Sequence, residues 1–299
     1  MTAERVRRAM LALYLLAFFG FLFGPLAVMG VTAFNSSAYP QVAPFEGVTL
    51  RWFAALADDG DLLQGLATSL RIGLLVVLLA VPLGLAGALA MQQIYARARA
   101  LFYVVVVSPV LTPGVIIGIS TVIFWRELSG LTGTRFLYDG VVLTVLGQSS
   151  FVAAYCMLIF LARLHRFDAS LAEAALDLGA SRWQVFAHIL LPFLRPAILS
   201  AAALAFLASF ENYNTTTFSI LADKTLTTVL AGRVRQGTTP ALSAFAVVIV
   251  ALTALGALAY EALRRREDRR KAAERRVARE AERRELQSAA PPVWETAGS

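Results

Sequence analysis

Six stretches of this chain carry apolar residues almost without interruption, and polar residues gather between them rather than alternating with them. The stretches are Met10 to Phe34, Leu66 to Met91, Leu101 to Trp125, Val141 to Leu161, Ala197 to Leu221 and Ala241 to Tyr260. A hydrocarbon layer about 30 Å thick is crossed by about 20 helical residues, so each stretch predicts a membrane-spanning helix. The fourth is the most interrupted, by Gln148, Ser149 and Ser150. Polar groups at that depth face other helices or a water-filled path, because lipid offers them no partner. The first stretch follows Arg5, Arg7 and Arg8, as a signal peptide would. Its apolar run is longer than a signal core and lacks a small-residue cleavage site, so it predicts an uncleaved helix.

Composition strengthens this reading. The 299 residues are 58% hydrophobic and 16% charged, with a mean hydropathy of +0.66. Soluble domains run at about 45–50% apolar and about 25% charged, and one core cannot hide the excess. A soluble globular enzyme and a disordered chain are both excluded. The expected fold class is an all-α integral membrane protein of six transmembrane helices.

The formal charge of +7 points to topology rather than to nucleic acid, since basic residues hold loops on the cytoplasmic side. With the N-terminus inside, 20 of the 27 Lys and Arg residues fall inside and 6 outside. Arg71, near the outer end of the second helix, accounts for the remaining one. Both termini are expected in the cytoplasm. From Glu261 to Glu285 the charges alternate, with Glu261–Arg265, Glu267–Lys271 and Glu280–Arg284 four residues apart, which predicts a solvated helix. The domain division is therefore a membrane domain over 1–262 and a charged cytoplasmic tail over 263–299.

Candidate chemistry is sparse. Cys156 has no second cysteine to pair with, and two histidines, His165 and His188, do not make a metal centre. No GxxxxGK[ST], HExxH or GxSxG pattern occurs. The chain is not expected to be an enzyme or to bind a cofactor or metal.

Between the fourth and fifth stretches, residues 163–196 are too polar to span and too patterned to be a passive linker. Ser170-Leu-Ala-Glu173 predicts a capping box, Gly179 a left-handed helix stop, and Ser181-Arg-Trp-Gln184 a second capping box. Pro192 and Pro196 then punctuate the approach to the fifth helix. The result is a helix–turn–helix at the membrane surface, with Trp183, Phe186 and Leu190 along one face.

The string EAALDLGASRWQVFAHILLP closely resembles the EAA loop of bacterial ABC-transporter permeases: EAA, three residues, G, nine residues, I-x-L-P. Glu173, Ala174, Ala175, Gly179, Ile189, Leu191 and Pro192 supply the seven matching positions. That resemblance implies that the loop docks on a cytoplasmic ATPase dimer, and that ATP is used by this partner subunit. It also implies a second permease subunit, the same chain or a different one, and an extracytoplasmic substrate-binding protein, all at a cell inner membrane.

Over residues 60–262 the chain is similar to permeases of the spermidine/putrescine (PotC-like) type. The runs that carry the similarity are SPVLTPGVIIGIS (Ser108 to Ser120), SFENYNTTTF (Ser209 to Phe218) and TLTTVLAGRVRQGTTPALSAFA (Thr225 to Ala246). The first implies a third helix opened by Pro and Gly beside the pore. The implied cargo is a polyamine; related permeases for sulfate, ferric iron and molybdate share the coupling loop, which keeps an anion or ferric iron as alternatives.

Glu211 is expected deep in the fifth helix, where an ionised carboxylate needs a counter-charge or water. With Asn212 and Tyr213 it offers a carboxylate and an aromatic face to an ammonium. The competing role is structural, an ion pair with Arg71 or with a partner permease. Arg71, a cation near the outer mouth, argues for an anion if it faces the pore, and equally has the reach to snorkel to the outer headgroups. From other classes, an integral-membrane enzyme requires polar residues clustered on several helices. A proton-driven secondary transporter requires inverted repeats.

Overall fold

The structure, a computed structural model, describes residues 3–256, 258–262, 264 and 265. The described residues are almost wholly helical, with one isolated bridge between Asn35 and Val48. In chain order the helices are α1 (Ala3–Phe34), α2 (Arg51–Ala57), α3 (Gly60–Gln93), α4 (Ala96–Leu111), α5 (Gly114–Thr132), α6 (Gly140–Leu164), α7 (Ala169–Asp177) and α8 (Arg182–Val185). They continue with α9 (Leu191–Phe210), α10 (Thr216–Ser219) and α11 (Leu226–Gln236), and with α12 (Pro240–Ala262). Among the described residues, six helices are long and apolar enough to cross a membrane. The tail lies outside the described residues beyond Arg265, and with it the two later charge pairs. The first pair forms as expected, Arg265 Nε donating to Glu261 Oε1 at 2.6 Å.

The chain divides into two compact units, residues 1–53 with 239 onward and residues 54–238. In the first, α1 leaves Leu13, Leu16 and Phe21 exposed, as lipid-facing residues are. After α1, the Asn35 amide donates to Gln41 O and Pro44 O at 2.9 and 3.2 Å. Its carbonyl accepts from Trp52 Nε1 at 2.9 Å. That one buried asparagine organises the whole connection to α2. Thr32 Oγ1 donates to Ser243 Oγ at 2.9 Å, joining α1 to α12.

The second unit is built on α3, α6 and α9. Arg163 reaches Phe193 O, Cys156 lies against Ala201 O, and Gln148 bonds Ser209. These pairings set α6 and α9 antiparallel over most of their length. Helices in lipid associate through close packing rather than through a hydrophobic drive, so small residues line the seams. Gly84 of α3 leaves no room for a side chain: an added Cβ would lie 2.5 Å from Cys156 Cβ and 2.8 Å from Ala153 O. Val76, Ala80, Ala88, Val152, Phe160, Ala201 and Ala205 complete the fully buried centre.

Three expectations need correction. The third stretch is not one helix: α4 and α5 meet at Thr112-Pro113. Pro113 lacks the N–H that would continue α4, and its ring excludes the helical conformation at Thr112, whose ψ is 132°. The fifth helix ends at Phe210, not Leu221, so Glu211 sits at its C-cap rather than well inside it. Thirdly, α8 is not a separate short helix. It runs on through a π turn, Phe186–Leu190, into α9. Pro192 has no N–H for His188 O, and Leu191 N–H bonds Phe186 O instead, which widens the turn without breaking it.

Candidate functional site

The α7–α8 hairpin carries Glu173, Ala174, Ala175 and Gly179 of the seven motif positions; Ile189 falls in the π turn after it, and Leu191 and Pro192 open α9. Its first cap is not the expected one. Asp168, not Ser170, is the N-cap, and its carboxylate accepts from Ser170 N at 3.0 Å. That bonding from Ser170 holds the Asp168 carboxyl below its ordinary range. Glu173 is thereby released from capping and stands exposed. Gly179 has φ +88°, and the turn it makes is closed by Gly179 N to Leu176 O (2.9 Å) and Ala180 N to Ala175 O (3.0 Å). Glycine takes this left-handed conformation without the Cβ clash that other residues meet. The second capping box forms as expected: Ser181 N donates to Gln184 Oε1 at 2.7 Å and Gln184 N to Ser181 Oγ at 3.3 Å.

The hairpin exposes large apolar side chains among its charged ones. Leu171, Leu176 and Leu178 are exposed, and Trp183, 71% exposed, stacks on Phe186 at 5.4 Å. Ala174 and Ala175 lie between them, where they permit close approach. Ile189, Leu191 and Pro192 lie on the other side of the hairpin, half-buried at its root. There Arg163 Nε and Nη2 donate to Phe193 O at 3.2 and 3.1 Å, and Phe167 packs edge-on against Phe193.

Two helix interruptions, α4/α5 and α9/α10, abut in the same unit. A Cβ on Gly114 would meet Asn214 Cβ and Thr215 Oγ1 at 3.0 Å, and one on Gly118 would meet Thr215 O at 2.6 Å. Thr215 is fully buried between these glycines and Gly147. A polar chain crosses the second break: Gln148 Nε2 donates to Thr216 Oγ1 at 2.8 Å, Thr216 Oγ1 to Asn212 O at 2.8 Å, and Ser209 Oγ to Gln148 Oε1. Unwound backbone is tolerated at membrane depth only where protein or a water-filled cavity satisfies it. Gln148 and Ser149 are indeed buried against protein, as their place in the sequence led us to expect. A cavity of about 470 Å³ opens beside the first break, lined among others by Ser108, Thr112, Thr121, Trp125 and Ser150.

Of the four residues expected in a substrate path, the structure brings three together. Glu211 is exposed at the break, with Asn212 and Tyr213 half-buried beside it. Asn212 turns its side chain inward, Oδ1 accepting from Thr215 N at 3.1 Å, so it shapes the break rather than presenting an amide. Arg71 is exposed on α3 and forms no ion pair with Glu211 or any other described residue. The pairing weighed for these two is not made.

Sequence reasoning missed α11 and what it ties down. Leu226 N donates to Ser69 Oγ at 2.9 Å and Thr227 Oγ1 to Asn212 O at 3.1 Å. Arg233 grips Asp59, the N-cap of α3, with both terminal nitrogens, Nη2 to Oδ1 at 2.6 Å. That bidentate contact holds the Asp59 carboxyl below its ordinary range, against the opposing effect of burial, and raises Arg233. Lys224 Nζ reaches Asp61 Oδ1 at 3.0 Å. Arg235 Nη2 donates to the Tyr213 hydroxyl at 2.8 Å. The acidic run after Trp52 was the visible signal, but nothing in it said which cations it would hold.

Long apolar helices, two of them interrupted, and a capped hairpin that exposes leucines are the features of an integral membrane subunit, with no metal-binding group among the described residues. Residues 80–269 match the binding-protein-dependent transport system inner membrane component family, and the chain belongs to it. It is thus the inner-membrane permease of a binding-protein-dependent ABC importer and not an enzyme. It is 31% identical over 261 residues to the putrescine transport system permease protein PotI of Escherichia coli (strain K12), covering 86% of this chain and 91% of that one. To the spermidine/putrescine transport system permease protein PotC of the same organism it is 23% identical over 253 residues, covering 84% and 92%. A bacterial ABC transporter that imports the acidic polysaccharide alginate shares the fold, with a TM-score of 0.63 at 19% identity, covering 84% of this chain and 92% of that one. The same kind of transporter bound to an alginate pentasaccharide-bound periplasmic protein matches with a TM-score of 0.62 at 22% identity.

Proposed function

We propose that this permease carries polyamines, putrescine among them, inward across the membrane. The observation that carries the reading is the similarity to PotI over 86% of the chain, joined to a carboxylate, Glu211, exposed at a helix break beside a tyrosine. An ammonium gains from both a carboxylate and an aromatic face. The cations Lys224 and Arg233 are spent on Asp61 and Asp59, so they do not oppose a polycation.

Both termini lie in the cytoplasm in this reading, which places the α7–α8 hairpin inside and α11 outside. The exposed Leu171, Leu176, Leu178 and Trp183, with Glu173, Ala174 and Ala175, form the face that receives the ATPase dimer. ATP is bound and hydrolysed by that partner, and this chain holds no cofactor. A binding protein delivers cargo from outside, and a second permease subunit, a different chain, completes the pathway. Movement of the hairpin passes through the π turn, Phe186–Leu190, directly into α9 and so to the break at Glu211, about 30 Å away at 1.5 Å per residue.

A second reading, transport of an anion, rests on Arg71, which is exposed and unpaired among the described residues. One experiment separates them. The complete transporter, with its ATPase, second permease and binding protein, is reconstituted in vesicles and offered radiolabelled putrescine or sulfate. ATP-dependent putrescine uptake is expected; sulfate uptake without putrescine uptake overturns the polyamine reading.

A further inference from the structure

Arg235 is the cation of the α10–α11 region that has no carboxylate partner among the described residues. Its guanidinium instead meets Tyr213, Nη2 donating to the hydroxyl at 2.8 Å with Cζ 6.0 Å from the ring centroid. The helix that bears it is held at three other points: by Ser69 at Leu226 N, by Asn212 O at Thr227, and by Asp59 at Arg233. α11 is therefore a fixed strap over the break, and Arg235 is aimed at Tyr213 by a rigid element.

Tyr213 is two residues from Glu211. Its ring and hydroxyl are the groups an ammonium uses, and here a cation of the protein already uses them. We propose that Arg235 is a specificity-determining residue, a tethered cation that holds the place of a substrate ammonium at Tyr213 until a polycation displaces it. The inference rests on the polyamine reading and extends it. A ligand whose site is occupied by a side chain binds with an affinity reduced by the fraction of time that site is free. A cargo with two or more ammonium groups keeps one on Glu211 while another competes with Arg235. A monoamine has no second foothold and is excluded by the same contact.

The test is equilibrium binding of radiolabelled putrescine to the assembled permease–ATPase complex in nanodiscs, without binding protein. Arg235→Gln is expected to bind putrescine about tenfold more tightly than wild type and to gain measurable binding of butylamine. Tyr213→Phe, which removes the hydroxyl that Arg235 and an ammonium share and keeps the ring, is expected to change putrescine binding by less than Arg235→Gln does. Arg235→Lys keeps the charge and is expected to stay near wild type. Unchanged or weaker putrescine binding in Arg235→Gln overturns the tethered cation. Putrescine uptake by the wild-type transporter, measured in vesicles, tells the two failures apart: with uptake present only this inference falls, and with uptake absent the polyamine reading falls with it.

Discussion

Arg163 and Phe193 are joined twice: the guanidinium donates two hydrogen bonds to the Phe193 carbonyl and lies 4.1 Å from the centre of its ring. The contact ties the end of α6 to the start of α9 just where the α7–α8 hairpin is rooted.

Replacing Arg163 by Leu removes both hydrogen bonds and the stacking. A charged hydrogen bond is worth about 1.5–3 kcal/mol when partly buried, so a loss of a few degrees in melting temperature is expected in detergent. Uptake should fall at least about fivefold while the complex still assembles and hydrolyses ATP. Uptake equal to wild type at equal membrane levels would show that the hairpin root needs no clamp.

Gly179 is constrained by conformation alone. An added Cβ meets nothing within 4 Å, yet φ is +88°. A β-branched residue there costs at least about 1 kcal/mol and favours another turn. Gly179→Val is therefore expected to leave the subunit in the membrane and the assembly intact, while separating ATP hydrolysis from uptake. Gly179→Asn, which tolerates a left-handed turn, should stay close to wild type. Equal uptake per ATP in wild type and the Val variant would sink the coupling role.

These two sites show what the sequence could and could not disclose. Gly179 was legible because a left-handed stop after a capped helix is a local matter, written in neighbouring residues. The same holds for the Ser181–Gln184 box and for four of the six spans, whose length is fixed by the bilayer. The break at Thr112-Pro113 divided the third. It was visible as two prolines and a glycine, but apolar residues continue through it, so hydropathy alone ran the helix on. Glu211 was placed too deep for the same reason: Phe218 and Ile220 extend the apolar run past the point where Asn212 turns the chain. Asp168 displaced Ser170 as cap because both can cap, and only the geometry of the preceding turn decides between them. Arg163–Phe193 was not legible at all, and of Asp59–Arg233 only the acidic run showed, since each pair joins residues far apart in the chain.

The Asp59–Arg233 pair predicts an acid-sensitive strap. The Asp59 carboxyl is depressed mainly by hydrogen bonds from Arg233. A depressed acid stabilises the folded state above its unfolded value, about pH 4, and loses that contribution as pH falls through the folded value. The pair is partly exposed, so about 1 kcal/mol is at stake. Thermal unfolding should show Asp59→Asn melting below wild type at pH 7, with the gap closing progressively below about pH 4. A gap that stays constant down to pH 3 would mean that the pair contributes nothing ionic.

Topology is open to direct labelling. In a Cys156→Ala background, Asp177→Cys on the exposed end of α7 is expected to react only from the cytoplasmic side, and Ala55→Cys only from outside. Both positions are exposed in the subunit alone, so in cells that lack the ATPase a failure to react reports sidedness rather than burial. Labelling of position 177 by an impermeant reagent in intact cells would reverse the orientation that places the hairpin on the ATPase.

The proposed cargo is tested at Glu211. Its carboxylate is exposed at the C-cap of α9 and makes no ion pair among the described residues, so it is available to an ammonium and is not consumed in holding the fold. Glu211→Gln keeps the shape and removes the charge; putrescine uptake is expected to fall on the order of tenfold, the scale of one charge-assisted contact. Basal ATP hydrolysis and complex assembly should be unaffected, because no described residue loses a partner. Glu211→Asp should retain part of the activity, since only reach is lost. Arg71→Gln should not change the Glu211→Gln result, as the two side chains are not paired in the structure. If Glu211→Gln instead impairs assembly, the carboxylate binds the second permease subunit. If it leaves both assembly and putrescine uptake at the wild-type level, the carboxylate lies off the path, and Arg71 with an anionic cargo becomes the pair to examine.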